Sequence, residues 1–219
     1  IAEALSTNPE KKLVNKIPYF ELIYKGKKII VAAAVGHLYN LTEKIKNGWT
    51  YPSFELEWKP SYEISKQAAF TKRYLDVLQK LSKEASSFIV ATDNDTEGSL
   101  IGFNVLKFIF NQKDAKRMVF STLTKEELIE SYGKANPHLD FPQIESGEAR
   151  HFLDYYYGMN SSRALTLAIK NAKAGFKIIS SGRVQSPTLA LLAEREKEIE
   201  KFKPKPYWQI FALINTKNK

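Results

Sequence analysis

Asp93, Asp95 and Glu97 put three carboxylates within five residues, directly after the short apolar run Ser87-Phe88-Ile89-Val90. Two unit charges about 5 Å apart repel by roughly 3 kcal/mol at an effective dielectric near 20. Such a group must protonate, pair with cations or bind a metal. Oxygen-only donors suit a hard cation such as Mg²⁺. Softer metals are disfavoured, because the chain has no cysteine and its three histidines, His37, His138 and His151, are spread along it. Two other readings use the same residues. An Asp/Asn loop can cap the helix that follows, and D-x-D-x-x-G opens a calcium-binding loop. The calcium reading fails at the twelfth position, which is Asn104 instead of Glu, and because a strand precedes the loop where a helix belongs.

The elements that position these acids are legible around them. Residues 87–90 are too short for a helix and read as a buried strand. From Gly98 to Phe110, Ile101, Val105, Phe108 and Ile109 follow helical spacing. The acids therefore sit where a strand hands over to a helix, the end of an open α/β sheet at which ligands bind. Upstream, 18–24 and 28–34 flank Lys25-Gly26-Lys27 as a hairpin, and 47–63 reads as an irregular connection. A long helix is expected over 65–83, a short strand over 117–120, and a helix capped by Thr124 with Glu127 at its third position. Near residue 140 strand–helix alternation gives way to helices at about 143–157, 159–172 and 187–201. Beyond Lys203-Pro204-Lys205-Pro206, a strand is expected over Tyr207 to Ile214.

Composition narrows the class of partner. The 219 residues carry 33 Lys+Arg against 24 Asp+Glu, a formal net charge of +9, which favours a polyanion. No acidic residue occurs between Tyr155 and Ala193, whereas Arg163, Lys170, Lys173, Lys177 and Arg183 all do. The lysines read as sequence-independent attraction to phosphate. Ser180-Ser181-Gly182-Arg183-Val184-Gln185-Ser186-Pro187 closes this stretch at the start of a helix, from which Arg183 and Gln185 can reach phosphates or base edges. A polar loop with a helix cap explains the same letters equally well. No apolar run reaches ~18 residues, so no membrane span is expected, and the protein is expected to be cytoplasmic.

Taken in order, these segments resemble the type IA DNA topoisomerases, in particular the archaeal topoisomerase I and topoisomerase III kind. Ala91 to Gly98 resembles the family's Toprim motif D-x-D-x-E-G, and Glu148 to Thr166 resembles A-R-x-x-x-D-x-x-x-G-x-N-x-(T/S)-R-A-x-T. Ser181 to Pro187 resembles G-R-V-Q-(T/S)-P, and Gly36-His37-Leu38 also matches a family segment. The resemblance implies an α/β Toprim domain over 1–140, Rossmann-like with a mainly parallel sheet. It implies part of a mostly α-helical domain over 141–219, beside a groove for single-stranded DNA. By resemblance Asp93, Asp95 and Glu97 hold Mg²⁺, while Arg150, Asp154, Arg163, Ser180, Arg183 and Gln185 line the DNA path. In such enzymes a tyrosine attacks a backbone phosphate, keeps the 5′-phosphoryl, lets a strand pass and reseals.

The family's first Toprim glutamate, on a strand before Ile1, and its nucleophilic tyrosine, in a later domain, are both expected outside this chain. This chain alone is therefore expected to be inactive, and its partners to be DNA and the rest of the topoisomerase polypeptide. Arg163 can instead pair with Asp154, and Asp154 can orient an arginine. His37 reads as a hydrogen-bonding residue beside the sheet. The rival reading is a non-catalytic module that binds single-stranded nucleic acid through a Toprim fold; a Toprim nuclease or primase is disfavoured by the helical motifs.

Overall fold

The computed structural model describes residues 1–46, 48–173 and 175–214. The chain opens with a short helix, α1 (Ala2–Leu5), and a three-stranded antiparallel sheet of β1 (Glu10–Val14), β2 (Ile17–Tyr24) and β3 (Lys27–Ala32), in the order β1-β2-β3. The expected hairpin is β2–β3, with Tyr24 opposite Lys27 and Gly26 at φ +75° in its turn. A second antiparallel pair joins β4 (Tyr39–Glu43) to β5 (Leu56–Pro60). The latter lies inside the stretch expected to be irregular, because its letters Leu-Glu-Trp-Lys-Pro alternate weakly and end in proline.

The expected helix over 65–83 is shortened to α3 (Thr71–Ser82) after a 3₁₀ turn at Lys66–Ala68, and a separate short helix, α2 (Ser61–Ile64), precedes that stretch. On α3, Leu75, Val77, Leu78 and Leu81 are buried, against Tyr39 on one side and Ile17 and Tyr19 on the other. The parallel pairing expected to dominate is confined to β6 (Ile89–Val90) and β7 (Lys116–Arg117). The remaining ladders are antiparallel, since the segments joining β1 to β2 and β2 to β3 are tight turns that cannot make a crossover. The parallel pair is nonetheless the one from which the acidic loop departs into α4 (Thr96–Phe108).

After α5 (Lys125–Gly133), a single helix α6 (Phe141–Asn171) replaces the two expected over 143–172. Its N-terminus is set by Asp140, whose side chain accepts from Gln143 N at 3.1 Å, with Pro142 in the first turn. Gly158 reads as a break, yet an interior glycine costs only about 1 kcal/mol, and the flanking turns are pinned by tertiary contacts. Asn160 bonds both backbone groups of Ser53, and Tyr156 donates to Phe54 O at 3.1 Å. The last helix is α7 (Gln185–Lys201). The strand expected at 207–214 does not form. Among the described residues no strand takes its backbone hydrogen bonds, and Trp208 is 96% exposed. The final five residues of the expected second domain, 215–219, lie outside the described residues, as do Asn47 and Ala174.

Candidate metal and nucleic-acid site

The acidic loop is built on a buried arginine. Arg117, at the end of β7 and only 2% exposed, donates to Thr92 O at 2.9 Å and Asp93 O at 2.6 Å, and also reaches Val90 O and Met118 O. Burial lowers its pKa from the ordinary arginine value, and the charges of Asp140, Asp95 and Asp93 oppose that shift. The loop then folds back on itself. Asp95 is the N-cap of α4, accepting from Gly98 N at 2.6 Å, and Thr92 Oγ1 donates to Gly98 O. A Cβ at Gly98 would overlap the Asp93 carbonyl, so this approach requires glycine. The capping reading of the loop is thus correct for Asp95, whose Oδ1 does that work.

The three acids do not converge in one cluster. Asp93 and Asp95 are exposed on the loop, whereas Glu97, one turn along, points to the loop after β3 and to α6. Its Oε2 lies 3.0 Å from His37 Nε2 and 3.1 Å from His151 Nε2, and its Oε1 lies 3.3 Å from Arg150 Nη1. Burial alone would raise the Glu97 pKa; the contacts from His151 and His37 outweigh it and hold the carboxyl below its usual value. Burial holds the His37 imidazole below its ordinary pKa, with His151 adding to that shift. The histidines expected to be scattered therefore meet in space: 37 and 151 come from different elements, and their rings stand 4.7 Å apart. The G-H-L letters around His37 were the one signal in the sequence, and they named no partner.

From Glu97 a chain of alternating charges runs along α6. Arg150 reaches Asp154 one turn later at 3.7 Å, and Asp154 accepts from Arg183 Nε at 2.6 Å and Nη2 at 3.4 Å. That bond holds the Asp154 carboxyl below the usual carboxylate range. Ser180 Oγ donates to Gln185 Oε1 at 3.1 Å, and Ser181 N donates to Ser162 Oγ at 2.9 Å, fixing the loop before α7 against α6. A cavity of about 640 Å³ opens beside this chain, bordered by His151, Asp154, Tyr155, Trp49 and Ser180.

Arg163 departs from the expected pairing with Asp154. It is 9% exposed and bonds Glu43, with Thr50 O accepting from it at 2.8 Å, instead of pairing with Asp154, and it borders the cavity from its buried end. One turn of helix per 3.6 residues puts 163 about 2.5 turns beyond 154, facing β4. It braces α6 against the sheet. Asp154 likewise acts as the anchor of Arg183.

No helix among the described residues is long and apolar enough to cross a membrane. Comparison with known proteins gives a consistent picture. The family model for the Toprim domain matches residues 2–123, and that for DNA topoisomerase matches 138–219. DNA topoisomerase 1 of Pyrococcus horikoshii is 47% identical over the whole chain, and that of Methanocaldococcus jannaschii is 49% identical over 98% of it. The chain spans only 32% and 28% of those two proteins. The solved structure of full-length topoisomerase I from Thermotoga maritima superposes with a TM-score of 0.56 at 27% identity, covering 79% of this chain and 27% of that one. With the Toprim match alone spanning more than half of it, the chain belongs to the Toprim family, and its C-terminal part is similar to the DNA topoisomerase family model.

Proposed function

We propose that this chain serves an enzyme that breaks and rejoins one DNA strand through a 5′-phosphotyrosine link, with the tyrosine supplied by polypeptide outside it. Residues 1–140 form the Toprim unit and 141–219 part of the helical unit beside single-stranded DNA. The observation that carries this reading is the unbroken run Glu97–Arg150–Asp154–Arg183, which links the helix after the acidic loop to the loop before α7, with Asp154 bordering the cavity. Arg150 and Arg183, about half and one-third exposed, are placed to meet phosphate, while Ser180 and Gln185 shape the rim.

The donor set fits Mg²⁺ at the loop. Asp93 and Asp95 present exposed, oxygen-only ligands, as a hard cation requires, and Glu97 would join them as the third carboxylate by turning from His37 and His151. Bound there, the ion would neutralise phosphate charge and align broken ends for resealing. The chain's own part is positional. Arg117 and Gly98 set the loop backbone, Arg150 orients Glu97, and Asp154 holds Arg183 toward the strand.

Calorimetry of this chain with Mg²⁺, with and without Asp93→Asn plus Asp95→Asn, tests the metal. Plasmid relaxation by the longer polypeptide tests the reaction. Mg²⁺ binding and relaxation should both be lost in the double variant; relaxation that survives it would refute the assignment. Engagement of Glu97 by three protein groups favours one rival, a metal-independent module that binds nucleic acid. That rival predicts oligonucleotide binding with no Mg²⁺ uptake at all.

A further inference from the structure

His37, Glu97 and His151 converge on one point from three separate elements. The two Nε2 atoms lie 3.0 and 3.1 Å from the same Glu97 oxygen, and the donor atoms of all three residues fall within 4.8 Å of one another. From this geometry we infer a binding site for a borderline divalent transition ion such as Zn²⁺ or Co²⁺, distinct in donor chemistry from the oxygen-only pair Asp93 and Asp95. Four-coordinate Zn²⁺ holds nitrogen and oxygen ligands at about 2.0–2.1 Å, which places neighbouring ligand atoms about 3.3 Å apart. The two spacings to the Glu97 oxygen need to widen by only a few tenths of an ångström to admit the ion, and the two nitrogens lie within 4.8 Å of each other. Two imidazoles and one carboxylate select a borderline ion, whereas Mg²⁺ takes oxygen and water.

The ligands are held in place before any ion arrives. Ser61 Oγ donates to the backbone oxygen of His37 at 2.7 Å. Glu97 is in the first turn of α4, and the His151 ring lies 5.6 Å from that of Trp58. His37 Nδ1 is buried with no hydrogen-bond partner, so the ring proton can move to that atom when the metal replaces the Nε2 hydrogen bond to Glu97. Arg150 stays on the other Glu97 oxygen as the outer partner that fixes the carboxylate. Side-chain exposures of 20–32% leave the fourth position open toward the groove for water or a phosphate oxygen. An ion here adds positive charge at the head of the Arg150–Asp154–Arg183 chain.

The site is tested by titrating the chain with Co²⁺, following the visible absorption of low-coordinate cobalt, and then displacing it with Zn²⁺. One saturable ion per chain is expected. His37→Ala and His151→Ala should each weaken it by at least about tenfold, the lower end of the loss seen even for outer partners. His37→Gln keeps a donor toward Glu97, so it should stay folded by circular dichroism and still lose cobalt. Glu97 is common to both metal readings, so Asp93→Asn plus Asp95→Asn separates them: cobalt binding should be unchanged while Mg²⁺ binding is lost. Absence of saturable cobalt absorption would overturn the inference. So would binding that survives His37→Gln or disappears in the Asp double variant.

Discussion

Asp154 Oδ1 accepts from Arg183 Nε at 2.6 Å, tying the middle of α6 to the loop before α7 across 29 residues. The pair sits at the surface, where an ion pair adds little stability, and it directs the guanidinium instead. Arg183→Ala should weaken binding to single-stranded oligonucleotides. It should also reduce the slope of log affinity against log salt by about 0.7, the share of one phosphate on a single strand. Asp154→Asn weakens the contact that directs this guanidinium and should lower affinity as well. Fluorescence anisotropy across a salt series measures both; identical slopes for Arg183→Ala and the parent exclude the contact.

Glu43 and Arg163 form a buried pair whose loss is structural. Removing one partner strands the other charge, so Arg163→Ala should cost about 3–5 kcal/mol in urea unfolding. A loss below about 1 kcal/mol would show that α6 does not depend on this brace.

The same pair sets a pH dependence. The hydrogen bond from Arg163 lowers the Glu43 pKa from its ordinary value. A carboxylate depressed in the fold contributes stability that is complete above its unfolded value, about 4.3. That contribution is lost as pH falls through the lower folded value. Glu43→Gln should therefore flatten the decline of melting temperature below about pH 4. Parallel acid limbs for variant and parent would dismiss the linkage.

Arg117 donates to four backbone carbonyls from a fully buried position. Arg117→Met keeps the volume of the stem but leaves those acceptors without a donor. It should destabilise the chain by about 2–4 kcal/mol and loosen the acidic loop, seen as faster amide exchange at Thr92 to Asp95. Unaltered exchange there would mean that the loop is held by other contacts.

Gly98→Ala tests the loop's fold-back directly. The added methyl meets the Asp93 carbonyl, a backbone atom that cannot rotate away. A cost of about 1–3 kcal/mol is expected, together with loss of Mg²⁺ affinity. Thermal melting indistinguishable from the parent would show that the loop opens freely.

Short-range patterns were enough to place the strand–acid–helix passage, the β2–β3 hairpin and the start of α6 near residue 140. Each depends on turn chemistry, capping or periodicity within a few residues. The motif order from Ala91 through Pro187 likewise carried the family without a fold. Three-dimensional packing decided what those signals cannot encode. It ran α6 through Gly158, paired Arg163 with Glu43 in place of Asp154, and drew Glu97 away from Asp93 and Asp95 to His37 and His151. The sequence separations of 120 between Glu43 and Arg163, and of 60 and 54 from Glu97 to His37 and His151, show why. Local residue types fix which groups are available, but long-range packing of β4, α4 and α6 selects which of them meet.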